Sequence, residues 1–244
     1  MITNSSDNER CNAIAENLKR IRENIADAAV KAGRSENSVR LMAVTKTVDA
    51  EFINYSIDNC GVDLIGENKV QEFLSKRDLL HLNGVEKHLI GHLQTNKVRK
   101  IIGEVDMIQS VDSFHLAEEI ALQAAKCGIT AKVLLELNLD AEVTKTGFDS
   151  SGFFDSLEKI SELKNIEVYG LMTVPPVELT GVELERYFDK IHSVYSDVKS
   201  KNLNGFNMQM LSMGMSGDYQ IAVKHGSDLV RVGSAIYGAR IYNK

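Results

Sequence analysis

Residues 207–240, NMQMLSMGMSGDYQIAVKHGSDLVRVGSAIYGAR, contain two short strand-like runs, at 207–211 and 229–232. Each run leads directly into a turn of small residues, SMGMSG at 212–217 and GS at 233–234, and each turn is followed by a segment that can start a helix. Backbone N–H groups in such turns bind anions, so two of them at adjacent strand ends predict a phosphate pocket. In a (β/α)8 barrel the phosphate site is frequently built from the loops after strands 7 and 8. We therefore interpret these runs as the last two strands of a barrel.

The rest of the chain repeats the same strand–helix unit. Strands are predicted at 41–45, 62–66, 86–90, 106–110, 132–138 and 166–172. Helices are predicted near 67–80, 94–102, 112–127, 150–164 and 180–201. Strands that alternate with helices pair in parallel through right-handed crossovers. Eight units predict an α/β fold that closes into a single (β/α)8 TIM-type barrel, and an open sheet of six or seven strands is the alternative.

An extra helix is predicted at the N-terminus. Apolar residues recur at helical spacing over 10–32, and Gly33 follows as a stop signal. After strand eight only residues 235–244 remain, too few for a full outer helix, so we expect the N-terminal helix to fill that place in the ring. Residues 1–9 are polar and are predicted to be a flexible N-terminus. Residues 10–244 are predicted to form one domain.

Composition excludes several classes of protein. The chain has 244 residues and a net charge of −6, which argues against nucleic acid or an anionic membrane as the main partner. The first residues contain no apolar signal-peptide core, and no later run is long enough to span a bilayer, so we expect a cytoplasmic protein. The histidines lack metal-ligand spacing, and we assign no metal. No strong apolar surface stripe is evident, which favours a monomer.

Lys46 is the strongest candidate for chemistry. It follows the apolar run LMAVT, and barrel enzymes place their chemistry at the C-terminal ends of the strands. A partly buried lysine there can form a Schiff base with a carbonyl. The simpler interpretation is a lysine that snorkels to solvent from a strand end. A phosphate pocket at the same mouth favours the first interpretation, because a phosphorylated aldehyde needs both features.

Other candidates lie at the ends of the later strands. Arg231 lies inside a strand, where its guanidinium needs an acceptor, and a buried ion pair is an equally good explanation. Ser212 and Ser234 directly follow strands in glycine-containing turns, which suggests phosphate contacts. Ser216 fits an ordinary helix N-cap. His92 follows the third strand and can be a base at the mouth, although a histidine hydrogen-bonded to the backbone is more common.

Several sequence blocks together resemble one family. The blocks are LMAVTK, GENKVQE, HLIGHLQTNK, TKTG at 144–147, GLMTVPP, LSMGMSGD and RVGSAIYGAR. They occur in this order in the pyridoxal phosphate homeostasis proteins, which resemble the N-terminal barrel domain of alanine racemase. The resemblance covers residues 10–242, and the last two blocks are highly specific when they occur together.

The resemblance implies a cofactor site. It implies that Lys46 carries pyridoxal 5′-phosphate as a Schiff base, that Arg231 faces the pyridine nitrogen and that Asn68 lies beside the ring. Lys145 matches a second lysine implicated in cofactor handling. One departure from the family pattern is Lys69, where a tyrosine is usual. The phosphate-binding positions of the family match Ser212, Gly233 and Ser234.

The same resemblance limits the expected chemistry. A guanidinium can only donate hydrogen bonds, so an arginine facing the pyridine nitrogen leaves that nitrogen unprotonated and the ring a weaker electron sink. Alanine racemase takes one base from a tyrosine in a C-terminal β-domain of the partner subunit, and this sequence stops just after the barrel. We therefore expect a protein that buffers pyridoxal phosphate or delivers it to apo-enzymes, without robust catalysis.

Three alternatives remain open at this point. A stand-alone amino-acid racemase or similar enzyme would use Lys46 with Lys145, Lys69 or His92 as a further base. A class I aldolase-like barrel would use the same lysine on a sugar phosphate. The third is an interaction module without a ligand site; under that hypothesis the positions of Lys46 and both turns would be coincidental.

Overall fold

The computed structural model of the protein describes residues 5–139, 147–148 and 152–238. Eight parallel strands close into a barrel in chain order, as predicted. The strands are β1 (Arg40–Val44), β2 (Leu64–Glu67), β3 (Glu86–Leu89), β4 (Met107–Val111), β5 (Ala131–Leu137), β6 (Ile166–Thr173), β7 (Phe206–Ser212) and β8 (Leu229–Val232). The closed barrel excludes the open sheet that the strand count alone permitted.

Helices alternate with these strands around the barrel. They are α1 (Ser5–Lys31), α2 (Ala50–Cys60), α3 (Val70–Lys76), α4 (Thr95–Ile101), α5 (Phe114–Lys126), α6 (Phe153–Ser161), α7 (Gly181–Ser200), α8 (Tyr219–Lys224) and α9 (Ser234–Tyr237). A short 3-10 turn, Arg77–Leu79, extends α3. Within the described ranges, no helix is both long and apolar enough to cross a membrane.

Barrel closure determines which loops meet at the C-terminal mouth. β1 pairs with β8, with Arg40 aligned to Leu229 and Met42 aligned to Arg231. β7 is joined to β8 through the aligned pair Ser212 and Leu229. The end of β1 therefore lies beside the end of β8, although almost two hundred residues of sequence separate them. This pairing brings the turn after β1 to the two turns that follow β7 and β8.

The interior of the barrel is filled largely by methionine and leucine. This cluster consists of Met42, Leu64, Met107, Leu134, Met172, Met210 and Leu229. Gly66 leaves room for it, because a Cβ at this position would lie 2.4 Å from Met42 Sδ. The outward faces of the strands pack against the helices in two larger apolar clusters. Buried polar side chains also point into the barrel, among them His88, Gln109, Ser212 and Arg231.

Helix α1 occupies the position in the outer ring that was predicted for it, beside the short helix α9 that follows β8. It packs against α2, α8 and α9. Asn17 Nδ2 donates to the Ile236 carbonyl at 3.1 Å, and Arg22 Nη1 donates to the Cys60 carbonyl at 2.6 Å. The helix begins at Ser5 rather than at residue 10, so residues 5–9 of the predicted flexible N-terminus are helical.

Helices α3 and α5 show why observed helices start later than the sequence pattern predicts. The third was predicted from residue 67, but Glu67 belongs to β2 and Lys69 is still extended, so α3 begins at Val70. The fifth was predicted from residue 112, but Ser113 is its N-cap, and the Ser113 hydroxyl accepts a hydrogen bond from the Leu116 N–H. Helical periodicity does not show where a strand end or a cap delays the first turn.

Candidate functional site

A cavity of about 1040 Å³ opens at the C-terminal mouth of the barrel. The ends of β1, β2 and β8, the turn after β7 and the first half of α1 all contribute to its lining. The predicted site residues that line it are Lys46, Asn68, Arg231, Gly233 and Ser234. The fold therefore brings together residues from both ends of the sequence around one cavity.

Lys46 is half-buried in the turn that directly follows β1. The residues on both sides of it are held by carboxylates. Thr45 Oγ1 donates to Glu67 Oε1 at 2.8 Å, and the Thr47 backbone N–H donates to Glu72 Oε1 at 2.5 Å. Thr47 adopts a left-handed conformation, with φ of 61°, which is uncommon for a β-branched residue. These contacts fix the backbone from which the Lys46 amine projects.

Lys76 joins the two carboxylates below this turn. Its Nζ lies 3.1 Å from Glu67 Oε1 and 2.6 Å from Glu72 Oε1, and it also donates to the Thr45 carbonyl at 3.0 Å. Burial raises the pKa of Glu67, and Lys76 opposes that shift. Burial also opposes ionisation of Glu72, but hydrogen bonds from Lys76 and the Thr47 N–H lower its pKa overall. The cluster formed by Glu67, Glu72 and Lys76 thus supports the Lys46 turn electrostatically.

Arg231 reaches the floor of the cavity from β8. Its Nη1 donates to Ser212 Oγ and its Nη2 donates to the Thr173 carbonyl, both at 2.7 Å. Both acceptors are neutral, and within the described part of the chain no carboxylate pairs directly with this guanidinium, in contrast to the buried ion pair that was the alternative explanation. Burial lowers the pKa of Arg231 to about 10, while Glu136 and Asp218 favour the charged form. A cation held this way presents only hydrogen-bond donors to the cavity.

The turn after β8 forms one wall of the cavity. The N–H groups of Gly233 and Ala235 point at Ser216 Oγ, at 3.3 and 3.2 Å. Ser216 also lines the cavity, and it does not cap α8, whose N-cap position is Asp218. Gly233 packs closely on β1, because a Cβ there would lie 3.2 Å from the Val44 carbonyl oxygen. This wall offers a hydroxyl and backbone N–H groups of the kind that bind a phosphate.

Ser212 lies deeper than the sequence pattern suggested. It is buried inside the barrel and does not belong to the cavity lining. Its hydroxyl accepts from Arg231 and donates to Gln109 Oε1 at 2.7 Å. Its assignment to the phosphate therefore stays a prediction, and the geometry of the mouth favours Ser216 for that role. The sequence signal for Ser216 is its position in the small-residue turn that follows Ser212, the last residue of β7, and precedes α8.

Asn68 presents an acceptor at the cavity. Its Oδ1 is buried and makes no hydrogen bond to the part of the chain that the structure describes. Gly91 permits this position, because a Cβ at residue 91 would lie 2.2 Å from the Asn68 carbonyl oxygen. A buried acceptor without a partner costs free energy unless a ligand or water satisfies it. This feature fits a site that is completed by a polar ligand.

Two of the three candidate second bases, His92 and Lys69, are not brought to the cavity. His92 is exposed, and its Nδ1 lies 3.0 Å from Asp112 Oδ2. Lys69 is exposed at the position before α3 and does not line the cavity. Lys145 falls outside the residues that the structure describes. Among the ranges that are described, no group of three or more metal-ligating side chains forms a cluster.

The chain is similar to known proteins over nearly its whole length. Residues 16–241 match the family model described as "Alanine racemase, N-terminal domain". A relative from Aquifex aeolicus, named pyridoxal phosphate homeostasis protein, is 39% identical over 229 residues, which are 93% of this chain and 98% of that protein.

Solved structures show the same likeness. A protein of unknown function from Bifidobacterium adolescentis superposes with a TM-score of 0.89 at 37% identity, covering 96% of this chain and 97% of that one. PipY of Synechococcus elongatus, solved with PLP bound, superposes with a TM-score of 0.80 at 31% identity, covering 92% of this chain and all of PipY. The chain therefore belongs to the pyridoxal phosphate homeostasis protein family, whose barrel is that of the alanine racemase N-terminal domain.

Proposed function

We propose that this protein binds pyridoxal 5′-phosphate and serves to hold and release it for pyridoxal phosphate homeostasis. The observation that carries the proposal is that Lys46, Arg231 and the Gly233–Ser234 turn line a single cavity. An amine, a donor-only cation and a phosphate-type turn match the aldehyde, the ring nitrogen and the phosphate of this cofactor. The names of similar proteins support the same ligand, since one relative is a pyridoxal phosphate homeostasis protein and PipY was solved with PLP.

Each residue has a distinct role in this proposal. Lys46 supplies the amine that attaches the aldehyde carbon, and Arg231 donates toward the ring nitrogen. The phosphate lies against the hydroxyls of Ser216 and Ser234 and the N–H of Gly233. When bound, the cofactor supplies an aldehyde that reacts with amines and a ring that withdraws electrons. The protein positions the cofactor in the cavity and supplies the charged Arg231 guanidinium near its ring.

Holding the cofactor suits this site better than turning over an amino acid. Arg231 can only donate, so it cannot protonate the ring nitrogen in the way a carboxylic acid can, and the ring withdraws electrons less strongly. The exposed positions of Lys69 and His92 also separate them from the cavity. A racemase-like activity is the second candidate, because the family model is the N-terminal domain of alanine racemase.

Borohydride reduction tests the proposed cofactor site directly. The purified protein is incubated with pyridoxal 5′-phosphate, reduced, digested and mapped by mass spectrometry. We expect a phosphopyridoxyl group on Lys46, and its loss in Lys46→Arg, which keeps the charge. Lys69→Arg is the matched control, because Lys69 is an exposed lysine outside the cavity. A wild-type protein with no adduct on Lys46 would falsify the proposal.

Isotope exchange separates a carrier from a racemase. The cofactor-loaded protein is incubated with L-alanine in deuterium oxide, and deuterium at Cα is followed by mass spectrometry. A carrier gives no exchange above the same concentration of free cofactor. Exchange that exceeds this background and disappears in Lys46→Arg would instead establish the second candidate.

We also propose that the protein acts as a monomer and passes the cofactor to PLP-dependent apo-enzymes. The cavity opens to solvent at the mouth of the barrel, beside the exposed loop residues Val174 and Val177, so a bound ligand can leave without unfolding. Light scattering on a sizing column measures the mass. Reactivation of an apo-aminotransferase, with and without an enzyme that destroys free cofactor, distinguishes transfer by contact from transfer through solvent.

A further inference from the structure

A chain of polar side chains crosses the interior of the barrel below the cavity. From Arg231 on β8 it passes to Ser212 on β7, crosses to Gln109 on β4 and continues to His88 on β3. Each of its three links measures 2.7 Å. All four residues are buried. Barrel interiors are normally filled by branched apolar side chains, so a continuous polar chain here needs an explanation.

This chain of polar side chains continues to the opposite mouth of the barrel. His88 Nε2 lies 2.7 Å from Glu86 Oε1, and Arg40 Nη1 donates to Glu86 Oε2, also at 2.7 Å. Glu86 and Arg40 line a second cavity, of about 810 Å³, at the N-terminal mouth. The chain of polar side chains therefore joins Arg231, at the floor of the C-terminal cavity, to Glu86 and Arg40 at the N-terminal mouth.

The direction of every hydrogen bond in the chain is determined by its two ends. Arg231 can only donate, so Ser212 accepts from it and gives its own hydrogen to Gln109 Oε1. The amide of Gln109 then presents Nε2–H to His88, whose Nδ1 must accept. His88 consequently carries its hydrogen on Nε2 and donates it to the carboxylate of Glu86. In this orientation every link of the polar chain pairs one donor with one acceptor.

We propose that Gln109 and His88 are positioning residues that hold the Arg231 guanidinium against the ring nitrogen of the bound cofactor. The proposal rests on the function proposed above. The guanidinium has a backbone acceptor at Thr173 on one side and depends on Ser212 on the other. Without an acceptor, the buried hydroxyl hydrogen of Ser212 would be unsatisfied, and the hydroxyl would lose the contact that orients its lone pair toward Arg231. Gln109 provides that acceptor, and His88 holds Gln109 in the required orientation.

A merely structural role predicts a different result from a positioning role. If the chain only fills the barrel, its removal weakens binding of every ligand at the mouth to the same extent. If it positions Arg231, its removal weakens the interaction at the ring nitrogen and leaves the phosphate and aldehyde contacts intact. The two ligands that separate these cases are pyridoxal 5′-phosphate and its 1-deaza analogue, which has a C–H group in place of the ring nitrogen.

The test measures the dissociation constants of both ligands by fluorescence titration. The wild-type protein should bind the natural cofactor more tightly than the analogue, because only the natural cofactor accepts from Arg231. We expect this preference to fall roughly tenfold in Gln109→Met, as for the loss of one hydrogen bond to a charged group. The absorption maximum of the bound natural cofactor should shift in the same variant. Gln123→Met is the matched control, because Gln123 is a buried glutamine of α5 that contacts Glu119 and lies outside the chain.

A second pair of variants covers failure of Gln109→Met to fold. His88→Leu removes the acceptor for Gln109 and should lose the preference, whereas His88→Asn provides an amide oxygen near the position of Nδ1 and should retain most of it. A preference that all variants keep overturns the positioning role and leaves the proposed function intact. A wild-type protein that binds neither ligand overturns both.

Discussion

Lys76 Nζ lies 3.1 Å from Oε1 of Glu67, a carboxylate whose side chain is only 2% exposed. Lys76 is the cation that stabilises this buried charge, and it also contacts Glu72 and the Thr45 carbonyl. The charged side chains of Glu67, Glu72 and Lys76 thereby stabilise the turn that carries Lys46. Breaking a buried pair is costly because the remaining charge keeps its desolvation penalty.

Lys76→Met should destabilise the protein strongly. The substitution leaves Glu67 buried without its cation, and we expect the free energy of unfolding to fall by about 3 kcal/mol. Urea denaturation followed by circular dichroism measures it. Adding Glu67→Gln to the same variant should recover part of the loss, because no buried charge remains. Lys69→Met, at an exposed neighbouring position, should change stability by less than about 0.5 kcal/mol. Equal losses in Lys76→Met and Lys69→Met would contradict this role.

Ser216→Ala and Ser212→Ala should differ in how they affect phosphate binding. Ser216 Oγ lies at the cavity wall beside the Gly233 N–H, whereas Ser212 is bonded to Arg231 below the cavity. We expect Ser216→Ala to weaken pyridoxal 5′-phosphate roughly tenfold and to leave pyridoxal, which has no phosphate, nearly unchanged. Ser212→Ala should weaken both ligands by a similar factor. If Ser212→Ala instead weakened only pyridoxal 5′-phosphate and Ser216→Ala weakened both ligands, Ser212 would be the phosphate-binding serine, as the sequence analysis predicted.

Gly91→Ala should displace Asn68 from the cavity. The added Cβ would lie 2.2 Å from the Asn68 carbonyl oxygen and 2.8 Å from its Cα, both backbone atoms that cannot rotate away. Stability should fall by about 1–3 kcal/mol, as for other overpacked sites, and cofactor affinity should fall as well. For stability, Gly217→Ala is the comparison, because a Cβ there meets nothing within 4 Å. Unchanged cofactor affinity in a folded Gly91→Ala protein would remove Asn68 from the site.

Stability should fall at acid pH through Glu86. The hydrogen bond with His88, helped by Arg40, lowers the pKa of Glu86 from its ordinary 4.5 to about 2. A carboxyl with a lowered folded-state pKa contributes stability that is complete above pH 4.5 and is lost as the pH falls toward 2. Thermal denaturation between pH 5 and 2.5 should show a shallower decline for Glu86→Gln than for the wild type. Glu36→Gln, at an exposed turn position, should keep the wild-type slope.

The sequence by itself determined the barrel and much of its mouth. Alternating strand and helix patterns specified the architecture because each pattern is local and each unit repeats. Lys46 and the turns after β7 and β8 were singled out because they follow predicted strands directly, where barrel enzymes place their site residues. Apolar residues at helical spacing over 10–32 predicted the N-terminal helix, and α1 packs beside α8 and α9 as expected.

Only the tertiary structure decided which polar residues act together. Strand closure placed Ser212, the last residue of β7, below the cavity and Ser216, in the turn that follows, at its wall. Arg231 bonds to Ser212 and Thr173, which lie 19 and 58 residues earlier in the sequence, so no short sequence spacing indicates these partners. Local patterns follow from backbone periodicity, which the sequence records directly. Hydrogen-bond partners across a barrel depend on the depth and orientation of each side chain, which exist only once the strands are paired.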